Sequence, residues 1–319
     1  MKCDSLIMVF VFGLQMLEVP LAFGQEYPLK PIRIVTPGTG GSSDFSSRVI
    51  APALAANLGQ QVIVENRPTG PIPGEIVSKA APDGYTLLLA GGSFVIGPLM
   101  QKTPYDPVKD FSPISLTTTQ PNVLVVHPSM PVKSVKELIA VARAKPGVLN
   151  YSMAGAGSSG HLAAELFKSM AAIDVVRINY KGAGAALSDL VGGQVHLTFA
   201  TAGSVAPLIK SGRLKALAVT SGKPSVLFPG VPTVADSGLP GYETVSNLGL
   251  FAPAKTPESI INRLNQEVVR VLSRTDIKEK FLNAGTEAVG SSPEQFASTI
   301  KSEMARLGKV IRDAGMAVD

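Results

Sequence analysis

Short apolar runs alternate along this chain with longer stretches in which apolar and polar residues are interleaved. Residues 32–35, 61–65, 85–89, 114–118, 123–127, 175–179, 195–200, 214–220 and 248–251 read as strands, as does a short run from Asn150. Between them, residues 45–58, 75–81, 94–101, 134–147, 161–170, 182–190 and 204–211 read as helices, and after residue 253 the tail is mostly helical. Strands that alternate with helices predict parallel βαβ units and hence an α/β fold. Punctuation supports the division. Gly59 stands where a left-handed residue closes a helix, Ser134 and Glu137 form a capping box, Pro257 follows Thr256 at a helix start, and Ser292 with Gln295 forms a second box. Pro52 falls inside the first helical run and predicts a kink or a split there. The Pro- and Gly-rich stretch 221–243 predicts irregular chain.

The turns at three strand ends share a chemistry. Residues 150–162 (NYSMAGAGSSGHL) read as a strand, a loop of small residues and a helix start. Residues 36–44 (TPGTGGSSD) and 90–93 (AGGS) repeat the arrangement. Loops with almost no side chains expose their N–H groups, and each helix start adds the positive end of its dipole. Three such turns predict one cleft lined by backbone amides, a seat for an anion.

Composition narrows what the cleft serves. At 319 residues with 45% apolar and 17% charged, the chain is long enough for two domains with ample core. Trp is absent and aromatics make up only 6%, so stacking platforms for bases have little material. The net charge of +5 comes without a Lys/Arg run, so no nucleic-acid partner is expected. Lys2, the apolar run 6–17 and the Ala22-Phe23-Gly24 site predict an export signal over residues 1–24, cleaved near Gly24. That segment holds Cys3, the only cysteine, so the mature chain would carry neither disulfide nor thiol nucleophile. Export without disulfides suits a bacterial periplasm.

Gly155 to Gly160 satisfies G-x-G-x-x-G, yet Asp174 precedes the second strand, whose end carries Asn179, Tyr180 and Lys181 rather than an acid for a ribose. Ser158 and Ser159 lie near His161, but no serine has the nucleophile-elbow setting. His127, His161 and His196 are scattered, so neither metal nor cofactor is expected. Asp44 reads either as a helix-start carboxylate complementing the dipole or as an acceptor for a ligand's amino or hydroxyl group. Ser42, Ser43, Ser93, Ser158 and Ser159 read as caps or as donors to a carboxylate, with five hydroxyls over three turns favouring the second. Lys181 and Gly182 could supply another wall.

At this point the chain resembles a known family. P-x-R-I-V-x-P followed by GG-x-x-D (residues 31–44), E-N-R-P (65–68), A-x-P-D-G-Y-T-L-L (80–88), T-P-Y-D-P-V-x-D-F (103–111), G-S-x-x-H-L-A-x-E-L-F (157–167), Y-K-G-x-x-x-A-L-x-D-L-x-G-G-Q-V (180–195) and L-x-A-L-A-V-T-S (214–221) together resemble the Bug receptors. These are the extracytoplasmic solute receptors of tripartite tricarboxylate transporters. The resemblance implies a type II periplasmic-binding-protein fold, two α/β domains with a hinge and an interdomain ligand cleft. Residues 25–122 and 254–319 would form one domain, 128–247 the other, with crossings at 123–127 and 248–253. It implies a non-catalytic receptor that binds a small carboxylate and delivers it to membrane subunits, as a monomer. The alternatives are an orphan receptor feeding a sensor protein, or an exported hydrolase or dinucleotide-dependent enzyme.

The expected ligand-binding residues are Thr39, Gly40, Gly41, Ser42, Ser43 and Asp44 in the first loop and Gly92 and Ser93 in the second. Ala156, Gly157, Ser158, Ser159 and His161 follow in the third, with Lys181, Gly182 and Thr201 beside them. The chain departs from the family pattern at residues 69–75, 199–204 and 246–249, where polar and aromatic positions are lost. Those departures leave the carboxylate seat intact.

Overall fold

The computed structural model describes residues 27–68, 70–153, 158–180 and 183–313. The first half opens with strand β1 (Ile32–Pro37), helix α1 (Ser42–Leu58), β2 (Val62–Arg67), α2 (Ile72–Ser78), β3 (Thr86–Gly91) and α3 (Gly92–Met100). Strand β4 (Phe111–Val126) leads to α4 (Val135–Ala144), β5 (Asn150–Met153), α5 (Ser159–Ala171), β6 (Val176–Asn179), α6 (Ala183–Val191), β7 (Leu197–Thr201), α7 (Ala202–Lys210) and β8 (Lys215–Val219). The chain returns through β9 (Val245–Pro253) and ends with α8 (Glu258–Ser273), α9 (Thr275–Asn283), β10 (Glu287–Ala288) and α10 (Pro293–Asp313).

Two α/β halves share one long strand. In the first, β1 lies parallel to β2 and β3, and β9 runs antiparallel between β3 and β4. In the second, β5 pairs parallel with β6 and β7, while β7 and β8 run antiparallel to β4. The outer strands thus follow the parallel expectation, and the connecting strands do not. Residues 111–121 of β4 pair with β9, whereas residues 122–126 pair with β7 and β8, so the strand changes sheets between Pro121 and Asn122. The expected strands at 114–118 and 123–127 are therefore two ends of one element. The stretch between them, residues 119–122, is left out of both expected strands, yet Thr119, Gln120 and Pro121 pair with Asn247, Ser246 and Val245 of β9.

Each half has its own core, because each sheet carries apolar side chains on both faces and needs helices on both. Ile32, Ile34, Leu54, Leu87 and Leu89 pack with Leu264, Val268 and Phe281 of the C-terminal helices in the first half. Leu124, Tyr151, Phe167, Phe199 and Tyr242 anchor the second. Val310 of α10 joins that second cluster, so the last helix touches both.

Local signals behave as chemistry dictates. Gly59 closes α1 at φ 67°, its N–H donating to the Ala55 carbonyl. Ser292 and Gln295 exchange hydrogen bonds at the start of α10. Pro52 does not split the helix: α1 runs unbroken over its 17 residues.

Candidate functional site

Three helix starts converge. The first turn of α1 (Ser42, Ser43), the β3–α3 junction (Gly91, Gly92, Ser93) and the first turn of α5 (Ser158, Ser159) line one cavity of about 200 Å3. Thr244, Val245 and Ser246 at the head of β9 add a polar edge, and Ile96, Leu162 and Leu307 an apolar wall. Among the described residues, no ionisable side chain lines it. Its polarity is that of hydroxyls and of backbone N–H groups left without helical acceptors at helix starts.

The α1 start is held by a charge network. The Asp44 carboxylate accepts from the Gly40 N–H (2.9 Å), the Arg48 Nε (2.8 Å) and the Asn66 amide (2.9 Å), while Arg48 also donates to the Asn66 Oδ1 (2.8 Å). Burial pushes the Asp44 pKa up, but the Gly40 N–H, Asn66 and Arg48 together hold it below the ordinary carboxylate value. Asn66, in the E-N-R-P block, is what lets one carboxylate and one guanidinium fix this turn. With three protein donors on it and no place in the cavity lining, Asp44 takes the first of its two readings, the helix-start carboxylate.

The α5 start is built from neutral groups. Ser158 is the N-cap, its Oγ accepting from the His161 N–H at 3.3 Å. Ser159 donates to the Asn122 Oδ1 at 3.1 Å, tying the helix to the point where β4 changes sheets. A Cβ on Gly160 would lie 2.2 Å from the Phe199 carbonyl oxygen, so only glycine lets α5 approach β7 this closely.

A second, smaller chamber of about 80 Å3 adjoins the first at Ser158 and Ser159, which line both spaces. Asn122, Ser152, Thr198, Thr201 and Ser204 supply its polar lining, and Met153, Leu187 and Phe199 its apolar lining.

The expected residues sort accordingly. Ser42, Ser43, Gly92, Ser93, Ser158 and Ser159 come together around the larger of these two cavities, and Thr201 lines the smaller. Thr39, Gly40 and Gly41 are exposed at the loop and line neither. His161, expected at the pocket, is only 2% exposed and points into the second half, its Nε2 3.1 Å from the Arg177 Nη1 and 4.0 Å from Glu165. Burial depresses its pKa, with Arg177 and Lys168 acting the same way against Glu165. One further residue of helical rotation past Gly160 turns that ring inward. Ala156, Gly157, Lys181 and Gly182 lie outside the described residues, as does the expected export signal.

Residues 244–246, Asn122 and Ser152 were not anticipated. The first group sits after the irregular stretch, where β9 begins three residues before its apolar run.

Residues 46–316 match the family described as "Tripartite tricarboxylate transporter family receptor". The chain belongs to that family. It is 37% identical over 295 residues to protein BugT of Bordetella pertussis, covering 91% of this chain and 90% of BugT. Among solved structures it is similar to an R. palustris protein with adipate (36% identity, TM-score 0.75, covering 92% of this chain and 99% of that one). It is also similar to MatC from Rhodopseudomonas palustris with bound malate (30% identity, TM-score 0.71, covering 89% and 100%). The type II binding-protein architecture with its interdomain cleft is thus the fold of this family. Among the described residues, no helix is long and apolar enough to cross a membrane, and no cluster of His, Cys, Asp and Glu could hold a metal.

Proposed function

We propose that this chain is an exported periplasmic receptor that closes two halves on a small carboxylate and delivers it to the membrane subunits of a tripartite transporter. One observation carries the reading: the starts of α1, α3 and α5 surround a single cavity whose described lining is uncharged. N–H groups fixed in orientation at helix starts can stabilise an anion without a full counter-charge. The carboxylates held by relatives in this family, adipate and malate, support the ligand class.

In this reading residues 1–24 are an export signal removed near Gly24, and the mature chain works as a monomer without turnover. In place of the expected crossings 123–127 and 248–253, the hinge in this reading falls a few residues earlier, where β4 changes sheets at Pro121–Asn122 and where the chain re-enters the first half at Thr244–Val245. Closure there brings the α1 and α5 starts onto one ligand and excludes water.

A thermal-shift screen of the mature protein over mono-, di- and tricarboxylates, amino acids and aromatic acids tests it. At least one acid raises the melting temperature in proportion to the logarithm of its concentration above Kd. A screen in which no acid does so, or turnover of an ester panel, rejects the proposal.

A further inference from the structure

Thr220, one residue past the end of β8, commits all of its polar groups to the two chain crossings. Its hydroxyl accepts from the Asn122 N–H at 2.9 Å and donates to the Thr244 carbonyl at 2.5 Å. Its own N–H donates to the Asn122 carbonyl, and its carbonyl accepts from the Thr244 N–H, both at 2.9 Å. Asn122 stands where β4 changes sheets, and Thr244 stands one residue before β9. Thr220 is fully buried between them, and Asn122 and Thr244 are 1% and 3% exposed. An aliphatic residue here would offer the main-chain bonds alone. The hydroxyl adds one bond to each crossing from a single oxygen, so the two strands cannot slide apart without breaking both.

On the other side of the step, Pro121 pairs with Val245 as the last rung shared by β4 and β9. The crossings are therefore tied together on both sides of one peptide each, Pro121–Asn122 and Thr244–Val245. Within the crossings, rotation of one half against the other is confined to those two peptides. The tie also reaches the ligand side. The Asn122 Oδ1 accepts from the Ser159 hydroxyl of α5 at 3.1 Å, and Thr244 lines the larger cavity. Thr220 itself lines neither cavity.

Resting on the receptor reading above, we propose that Thr220 is a positioning residue for ligand capture, its hydroxyl making the two crossings bend as one hinge. Acting through Asn122 and Thr244, it holds the start of α5 to a single path onto the start of α1. The hydroxyl is what this role requires, and the threonine methyl is not.

Distances between spin labels test this in the mature protein. A chain starting after Gly24 holds no native cysteine, so Lys102→Cys in the first half and Lys145→Cys in the second, both exposed positions, carry the labels. With no acid added, Thr220→Ser, which keeps the hydroxyl, gives the distance distribution of the parent. Thr220→Val keeps the shape and strands the Asn122 N–H and the Thr244 carbonyl, and its distribution is broader by about half or more. A purely stabilising role would lower the melting temperature of Thr220→Val and leave that width unchanged. Such a result overturns the proposal, as does equal broadening in Thr220→Ser. If Thr220→Val fails to fold, hydrogen exchange of the wild type decides. The amides of Asn122, Thr220 and Thr244 then open as one unit, with protection factors within about tenfold of one another, and a wider spread overturns the proposal. Neither measurement needs a ligand, so a blank carboxylate screen rejects the receptor reading while the distances and exchange rates judge the hinge on its own.

Discussion

The starts of α1 and α5 face the same cavity and are constructed in opposite ways. At α1 the cap residue is Gly41 with no side-chain hydrogen bond, and the turn is locked by an ionic network of Asp44, Arg48 and Asn66. At α5 there is no acid in the first turn, and a serine cap with a tightly packed glycine sets the geometry. An anion arriving at α1 meets a dipole already partly answered by Asp44; at α5 it meets one that is not. The two seats are therefore unequal, with α5 the stronger attraction and α1 the more rigid wall.

Substitutions probe that inequality. Gly160→Ala has the largest expected effect, because its Cβ would collide with the backbone at Phe199 and push α5 off β7. A loss of about 3 kcal/mol in urea unfolding is expected, with weakened carboxylate binding. An unchanged midpoint would show that the close approach to β7 does not position this seat.

Asp44→Ala comes next. It strands the Gly40 N–H and the Asn66 amide, and a loss of about 2 kcal/mol is expected, moderated because the Arg48 side chain is 56% exposed. Since the folded pKa of Asp44 lies below its unfolded value, its stabilisation is fully present above the unfolded value. It is lost as pH falls through the folded one. Paired melts of wild type and variant at neutral and strongly acidic pH should converge at the acidic end; a gap independent of pH would remove the ionic network from the account.

Binding itself should report the asymmetry. Ser158→Ala is expected to weaken carboxylate affinity about tenfold and to cost about 1 kcal/mol of stability through the lost cap. Ser42→Ala should cost affinity only about threefold, as α1 offers the weaker attraction. Titration calorimetry giving the reverse order would invert the comparison.

The smallest effect is expected away from both helix starts, at Glu303 on α10. Burial raises its pKa, with Glu243 adding to this against Asn247 and Arg306. For an acid whose folded pKa lies above its unfolded value, stability falls as pH rises between the two, so the charged form is a standing cost at neutral pH. Glu303→Gln should therefore raise the melting temperature by about 2 °C at neutral pH and leave it unchanged below about pH 4. A lower melting temperature at neutral pH would mean that the attraction of the nearby Arg306 charge and the Asn247 hydrogen bond outweigh burial.

Much of this was legible in the sequence. The three Gly/Ser turns predicted one cavity because the rule behind them, exposed N–H groups at helix starts, is local and depends on spacing alone. Strand and helix types were legible for the same reason. What local rules could not supply was the identity of partners distant along the chain. Asp44 reads two ways until Asn66, 22 residues on, is seen to hold it. His161 reads as a pocket donor until Arg177 is found at its ring. Asn122 gave no signal, sitting after a proline in what looked like a break between strands. Its position matters only because β4 changes sheets there.

The long shared strand also dictates an order of assembly. All the strands of the second sheet lie between Asn122 and Val219, one uninterrupted stretch of chain, and can pair as soon as that stretch is present. The first sheet is split: β3 waits for β9, and the Asn57 amide finds its acceptor on Glu267, 210 residues later. Closing so long a loop is slow relative to pairing neighbours. A chain emerging from its N-terminus thus finishes its middle first, and its opening strands stand incomplete until the last quarter of the sequence arrives to cover them.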